Sequence, residues 1–248
     1  MYADGLVTQP VVLLHHGVAT VAPRDDHSSL FVTDEQLDAQ LQHLIRHGWR
    51  PIDLSTLLSG AAPTRSFLVT FDDGYASVLE RAAPRLRDAG VPAVVFVPAG
   101  MIACTTGVPE RILDADELGT LVSDFGFEVG AHGFDHRRLV GLDDEQLSRQ
   151  TAGARERLRD ALGVAPRAFA YPHGAVDDRA RAAVHDAGYE VGFATHDAIG
   201  RHAQPRVALY RRDSMTVFRV KLRLAGPNSS TVRKWGAWAR RRPGRWRS

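Results

Sequence analysis

Phe67-Leu68-Val69-Thr70-Phe71-Asp72-Asp73-Gly74 runs five apolar or β-branched residues into two carboxylates and a glycine. An unbroken run of this kind suits a strand covered on both faces, as in a parallel sheet. Six further runs share the form: Val11–His15, Ala93–Val97, Phe127–Ala131, Ala168–Tyr171, Val191–Ala194 and Val207–Tyr210. Amphipathic stretches separate them. Thr33 with Gln36, and Asp143 with Gln146, form capping boxes at the start of two of these stretches. Leu37, Leu41, Leu44 and Ile45 make one apolar stripe, and Gly48 and Gly163 are placed as terminators. Further helices are expected at 76–89, 115–125 and 176–187. Seven strands alternating with helices predict one α/β domain, a barrel. An open doubly wound sheet would want a glycine-rich phosphate turn after the first strand, and His15-His16-Gly17-Val18 is not one.

The chain has 248 residues, 44% hydrophobic and 24% charged, which excludes disordered, collagen-like and low-complexity classes. Its one cysteine, Cys104, excludes an internal disulfide and a multi-thiolate zinc site. The net charge of +2 conceals an asymmetry. Residues 211–248 hold 12 Lys and Arg against one acid, Asp213, so this segment carries +11 and the first 210 residues −9. Met1 to Pro10 contains no basic residue, and the apolar run behind it is too short for a signal-peptide core. The uncharged stretch 89–109 is broken by Pro92, Pro98 and Pro109, so it is no single membrane helix. These features predict a soluble, cytoplasmic chain.

Three chemistry-bearing motifs follow predicted strands, which in a barrel puts them on the C-terminal face where active sites are built. Asp72-Asp73 can divide roles, one carboxylate on a metal and the other taking a proton. His132-Gly133-Phe134-Asp135-His136 places two imidazoles four residues apart, able to face one way if the segment turns into a helix. His43 and His47 have the same spacing but lie off an apolar helical stripe and read as exposed, so spacing alone does not make a site. One Asp and two His leave positions open on a metal, as catalytic sites require. In Tyr171-Pro172-His173-Gly174, either Tyr171 or His173 can line a pocket.

The order TFDDG, H-x-x-x-H, YPHG resembles the polysaccharide deacetylase family, the NodB-homology domain of carbohydrate esterase family 4. The likeness covers about Pro10 to Leu224. Val12-Leu13-Leu14-His15-His16-Gly17-Val18 is similar to the subgroup that opens with an L-x-x-H-x-V segment. The resemblance implies a distorted (β/α)7 barrel and metal-dependent hydrolysis of an N-acetyl amide, or less often an O-acetyl ester, on a carbohydrate. By the same likeness Asp73, His132 and His136 match the ligands of a divalent metal, most often zinc. Asp72 matches the general base. His16 matches an N-terminal histidine acting as general acid, with His15 its rival. Tyr171 matches a residue near the oxyanion, with His173 beside it at the substrate. The family's third motif commonly opens with an Arg that orients the base; Ala170 stands there, and no C-terminal Leu-x-His follows Val207. Arg206, in Gln204-Pro205-Arg206-Val207, matches a recurrent Pro-Arg of the subgroup and is the expected substitute partner for Asp72. Two alternatives stay open: hydrolysis of a small non-sugar amide or imide on the same barrel, and a catalytically weakened glycan-binding domain.

The barrel pattern stops at residue 224, and 225–248 reads as a tail. Residues 231–248 have seven bases, no acid and three of the four Trp. Trp with Arg suits an anionic membrane interface or RNA; the reading favoured is a weak anchor to the inner face of a membrane, beside an N-acetylated carbohydrate as substrate and with no nucleic acid expected.

Overall fold

The computed structural model describes residues 10–195, 198 and 200–225. The tail assigned to 225–248, with its expected membrane contact, lies outside these residues apart from Ala225. Among the described residues there are ten strands: β1 (Val11–His15), β2 (Gly17–Val18), β3 (Phe31–Val32), β4 (Arg50–Pro51), β5 (Ser66–Phe71), β6 (Ala93–Val97), β7 (Glu128–Ala131), β8 (Ala168–Ala170), β9 (Val191–Ala194) and β10 (Gln204–Ala208). The helices are α1 (Asp34–Arg46), α2 (Leu54–Ser59), α3 (Ala83–Asp88), α4 (Ala115–Phe125), α5 (Asp144–Ser148), α6 (Ala154–Leu162), α7 (Asp178–Asp186) and α8 (Met215–Leu224). Strands β5 to β10 pair in sequence order, β10 pairs with β1, and β1 pairs back onto β5. Seven parallel strands therefore close into the expected (β/α)7 barrel. The wall is uneven: β1 and β5 share five residue pairs from Val11↔Phe67 to His15↔Phe71, whereas β7 and β8 meet only at Ala131↔Phe169. β4 is added outside the ring at the start of β5, and β2 with β3 forms a separate two-stranded sheet.

Alternation along the strands sorts the core into two clusters. Val12, Leu68, Val94, Phe96, Ala168, Ala170, Val191 and Phe193 fill the barrel, with Ile52 and Leu54 packed against them. Val11, Leu13, Phe67, Val69, Phe71, Val95, Val97 and Phe169 belong to the larger outer cluster, where helix residues such as Leu37, Leu44, Leu86, Leu121 and Leu158 cover them. A Cβ on Gly130 would lie 2.3 Å from the Phe96 ring, so that position must be glycine for the Phe96 ring to sit there.

Both expected capping boxes form. Thr33 Oγ1 accepts from Gln36 N–H at 3.2 Å while Gln36 Oε1 accepts from Thr33 N–H at 2.9 Å, and Asp143 with Gln146 does the same. Three features differ from the sequence pattern. A short helix, α2, is capped by Asp53 and ended by Gly60 in a left-handed conformation, in a segment with no predicted element. Two helices open into π turns, at Val78–Ala82 and Arg149–Gly153. The last strand begins at Gln204, three residues before the predicted Val207. Its halves serve different neighbours: Gln204 and Pro205 pair with β9, and Arg206 to Ala208 pair with β1. Pro205, which has no N–H, thus sits where only one neighbour is paired.

Among the described residues no helix is long and apolar enough to cross a membrane.

Candidate active site

The C-terminal ends of the barrel strands open into a cavity of about 800 Å³. Its floor carries His16, Asp72, Asp73, His132, His136 and Arg206, delivered by β1, β5, β7 and β10. The loop before β3 forms one wall. Asp26 shapes it by accepting backbone N–H bonds from Leu30 at 2.7 Å and Phe31 at 3.1 Å. Tyr75, Met101, Arg138, His173 and Tyr210 line the remainder.

Strand parity explains which neighbours reach the cavity. Val12 points into the barrel, so on β1 Leu14 and His16 follow it to the cavity while His15 faces the helices. His15 is 1% exposed and bonds Gln40 of α1 through Nε2 at 2.9 Å. Of the two histidines, His16 is therefore the one that faces the cavity. Gln40 had no place in the sequence reading. The available signal was an amide within the buried Leu37/Leu41/Leu44 stripe.

Burial pushes the His15 imidazole down to about 4, outweighing the Gln40 bond. The unfolded chain takes up this proton near pH 6.5, and the folded chain resists until about 4. His15 thus favours folding fully above pH 6.5, and this contribution fades as pH falls toward 4, by roughly 3 kcal/mol at the lower end. Denaturant unfolding at about pH 7 and about pH 5 should show a larger loss in the native chain than in His15→Leu/Gln40→Leu. Equal losses would remove His15 as the source.

On β5, Leu68, Thr70 and Asp72 share the inner face. Asp73 would point outward on a continuing strand. It reaches the same cavity because its φ is 70° and that of Gly74 is 67°, so the chain turns sharply after Asp72. Among the described residues seven non-glycines have positive φ, and Asp73, His136 and His173 are three of them. Such strain, about 1–3 kcal/mol each, persists where the surroundings impose it and gathers at functional sites. His132 and His136 do converge, but through an irregular turn with Gly133 at φ 74° and His136 at φ 61°, not through a helix. A helix there is displaced by contacts of the turn itself, whose carbonyls at Gly133 and Phe134 accept from Ala99 and Gly100.

Asp73 Oδ1 lies 3.2 Å from His136 Nε2 and 3.5 Å from His132 Nε2, and it is buried with no properly formed hydrogen bond. Among the described residues these three form the one group whose donor atoms could share a cation, all within 4.8 Å of one another. Four ligands at zinc's usual bond lengths of about 2.1 Å sit about 3.4 Å apart, so the spacing fits. The nitrogen assignment fits as well. His132 Nδ1 faces the Ala170 carbonyl at 2.8 Å, which can only accept, so Nδ1 carries the hydrogen and Nε2 turns its lone pair to the group. Burial lowers the His132 pKa to about 4, favouring the neutral ligand form. Burial also raises the Asp73 carboxyl, but the His136 and His16 imidazoles outweigh it and hold Asp73 well below the usual carboxylate range.

Arg206 grips Asp72 with both guanidinium arms, Nη1 to Oδ1 at 2.6 Å and Nη2 to Oδ2 at 2.7 Å. Its side chain is fully buried, between Asp72 and the rings of Phe96 and Phe193 at 5.5 and 6.0 Å. The positive partner expected for Asp72 is thus in contact with it. Burial pushes Asp72 up, and Arg206, aided by His132, more than reverses this, so the carboxylate stays ionised though only 3% exposed.

Tyr171 is not in the cavity. Parity again gives the reason: Ala168 and Ala170 point inward, so Phe169 and Tyr171 point out. The Tyr171 hydroxyl donates to the His202 carbonyl at 2.7 Å, and its backbone N–H to Phe193 O at 2.9 Å, so neither is available to an oxyanion. His173 does line the cavity, its ring 4.7 Å from that of His136.

The sequence profile of the family described as "Polysaccharide deacetylase" matches residues 59–192, more than half of the chain. The poly-beta-1,6-N-acetyl-D-glucosamine N-deacetylase of Staphylococcus epidermidis is 25% identical over 205 residues, covering 74% of this chain and 71% of that one. Two solved structures show the same fold. One is a Streptococcus pyogenes deacetylase, PplD, in complex with acetate: TM-score 0.75, 19% identity, 86% of this chain and 97% of that one. The other is IcaB from Ammonifex degensii: TM-score 0.74, 24% identity, 86% and 96%. A parallel barrel of seven strands, with an Asp-Asp and two His at its mouth and this profile match, makes the chain a member of the polysaccharide deacetylase family.

Proposed function

We propose that the protein is a metal-dependent N-deacetylase that removes an acetyl group from an amino sugar in a glycan or glycan precursor. The observation that carries this reading is the juxtaposition of two sets of groups on one cavity floor. One is a buried cation-sized group with an orphan oxygen; the other is a carboxylate held ionised by arginine.

Asp73, His132 and His136 would hold a divalent metal, zinc by the donor set of one carboxylate and two imidazoles. Bound there, it would supply Lewis acidity, polarising the amide carbonyl and lowering the pKa of water from 15.7 toward about 7. Asp72 accepts the proton of the attacking water, as its position beside the triad, Oδ2 at 3.8 Å from His132 Nε2, supports. Arg206 fixes both oxygens of this carboxylate, so the base is oriented before substrate arrives. His16 gives a proton to the departing amine, without which the tetrahedral species returns to amide. His173 contacts the sugar at the cavity edge. The tail after the barrel and its membrane contact remain part of the proposal on sequence grounds alone.

Acetate release from an N-acetylglucosamine oligomer should fall to background with a zinc chelator and return with added Zn(II). Asp73→Asn should be inactive and should bind no stoichiometric zinc. Chelator-insensitive release, or full activity in Asp73→Asn, would overturn the metal role.

A further inference from the structure

His132 is the first residue after β7, and strand register holds it: its backbone N–H donates to Val97 O at 2.9 Å and its Nδ1 to Ala170 O. His136 lies outside any strand, so register does not hold it. It sits four residues on, at the end of an irregular turn, yet its Nε2, 3.2 Å from Asp73 Oδ1, must be placed to within about 0.5 Å for the two to share a cation. The side chain that shapes this turn comes from the helical segment 144–162. Gln150 is 1% exposed. Its Oε1 accepts from Phe134 N–H at 2.9 Å and from Asp135 N–H at 3.4 Å, and its Nε2 donates to Asp135 Oδ1 at 2.6 Å. A Cβ on Gly133 would stand 3.0 Å from the same Oε1, so the turn is moulded closely on this amide. Gln150 lies in the π turn Arg149–Gly153, whose Thr151 carbonyl accepts from the Tyr189 hydroxyl at 3.0 Å. Widened turns of this kind recur at functional sites. A buried amide with no helical partner, all of its bonds directed at a ligand-bearing turn, serves that turn and not the helix.

We propose that Gln150 is a positioning residue of the metal site, its amide holding the turn that sets His136 against Asp73 and His132. The proposal rests on the metal reading of that triad. Outer partners of metal ligands typically contribute about 10–100-fold in affinity.

The test is the affinity of the full chain for the zinc ion alone, read by competition with a chromophoric chelator. Gln150→Leu should bind zinc at least about tenfold more weakly. Gln150→Glu should do so too, because it keeps the acceptor but sets a carboxylate against Asp135. The pair Gln150→Glu/Asp135→Asn reverses the donor and acceptor of that one bond and should restore affinity to within about threefold of the native chain. A merely structural glutamine would lower the unfolding midpoint without moving zinc affinity per folded molecule. Native affinity in both single variants, or no recovery in the pair, would overturn the role of Gln150. A native chain that binds no zinc would overturn the metal reading itself, and this inference with it.

Discussion

Asp72→Asn should lower kcat by about 10²–10⁴-fold while leaving zinc content at the native level. Asparagine keeps the shape of the side chain but cannot take a proton from water. Zinc content should hold because Asp72 lies outside the triad, 3.8 Å from His132 Nε2 at its nearer oxygen. The substitution also leaves the fully buried Arg206 facing a neutral amide. Breaking a buried ion pair from one side costs about 3–5 kcal/mol, so the variant should unfold at lower denaturant as well as turn over slowly. Single-turnover acetate release at saturating zinc separates the two effects. Native kcat would remove Asp72 from the base role, whatever happened to stability.

Arg206→Ala should lose stability by a similar amount, about 3–5 kcal/mol, because Asp72 is then the buried charge without a partner. Its carboxylate would rise toward protonation and lose its fixed orientation, and kcat should fall by about 10–100-fold. Arg206→Lys keeps a charge but not the two parallel bonds, and should recover stability more fully than turnover. The pair Asp72→Asn/Arg206→Met removes both charges together. Its loss of stability should be smaller than the sum of the single losses, and that difference measures the coupling. Additive losses, with native turnover in Arg206→Ala, would reduce Arg206 to an ordinary core residue.

Much of the fold was legible because its signals are local. Apolar runs bounded by turns place six of the seven barrel strands within a residue at each end, and capping boxes locate the starts of α1 and α5. The seventh strand is read three residues late, and nothing local reveals that β9 and β1 use different halves of it. Asp72, Asp73, His132 and His136 were legible because each directly follows or lies near a strand end and uses a residue type with definite chemistry. Gln150 and Gln40 were not. An amide within an apolar stripe signals that something is bonded there, but its partner lies 15 or more residues away.

The sequence by itself determined which atoms could carry the chemistry and in what order the strands deliver them. Only the tertiary structure decided which of two neighbours faces the cavity: His16 and not His15, and neither the hydroxyl nor the N–H of Tyr171. The reason is that strands buried on both faces carry no polar alternation to mark an inside. Their parity is set when β1 meets β5 and the ring closes, and closure also carries Arg206 from the last strand onto Asp72, 134 positions earlier.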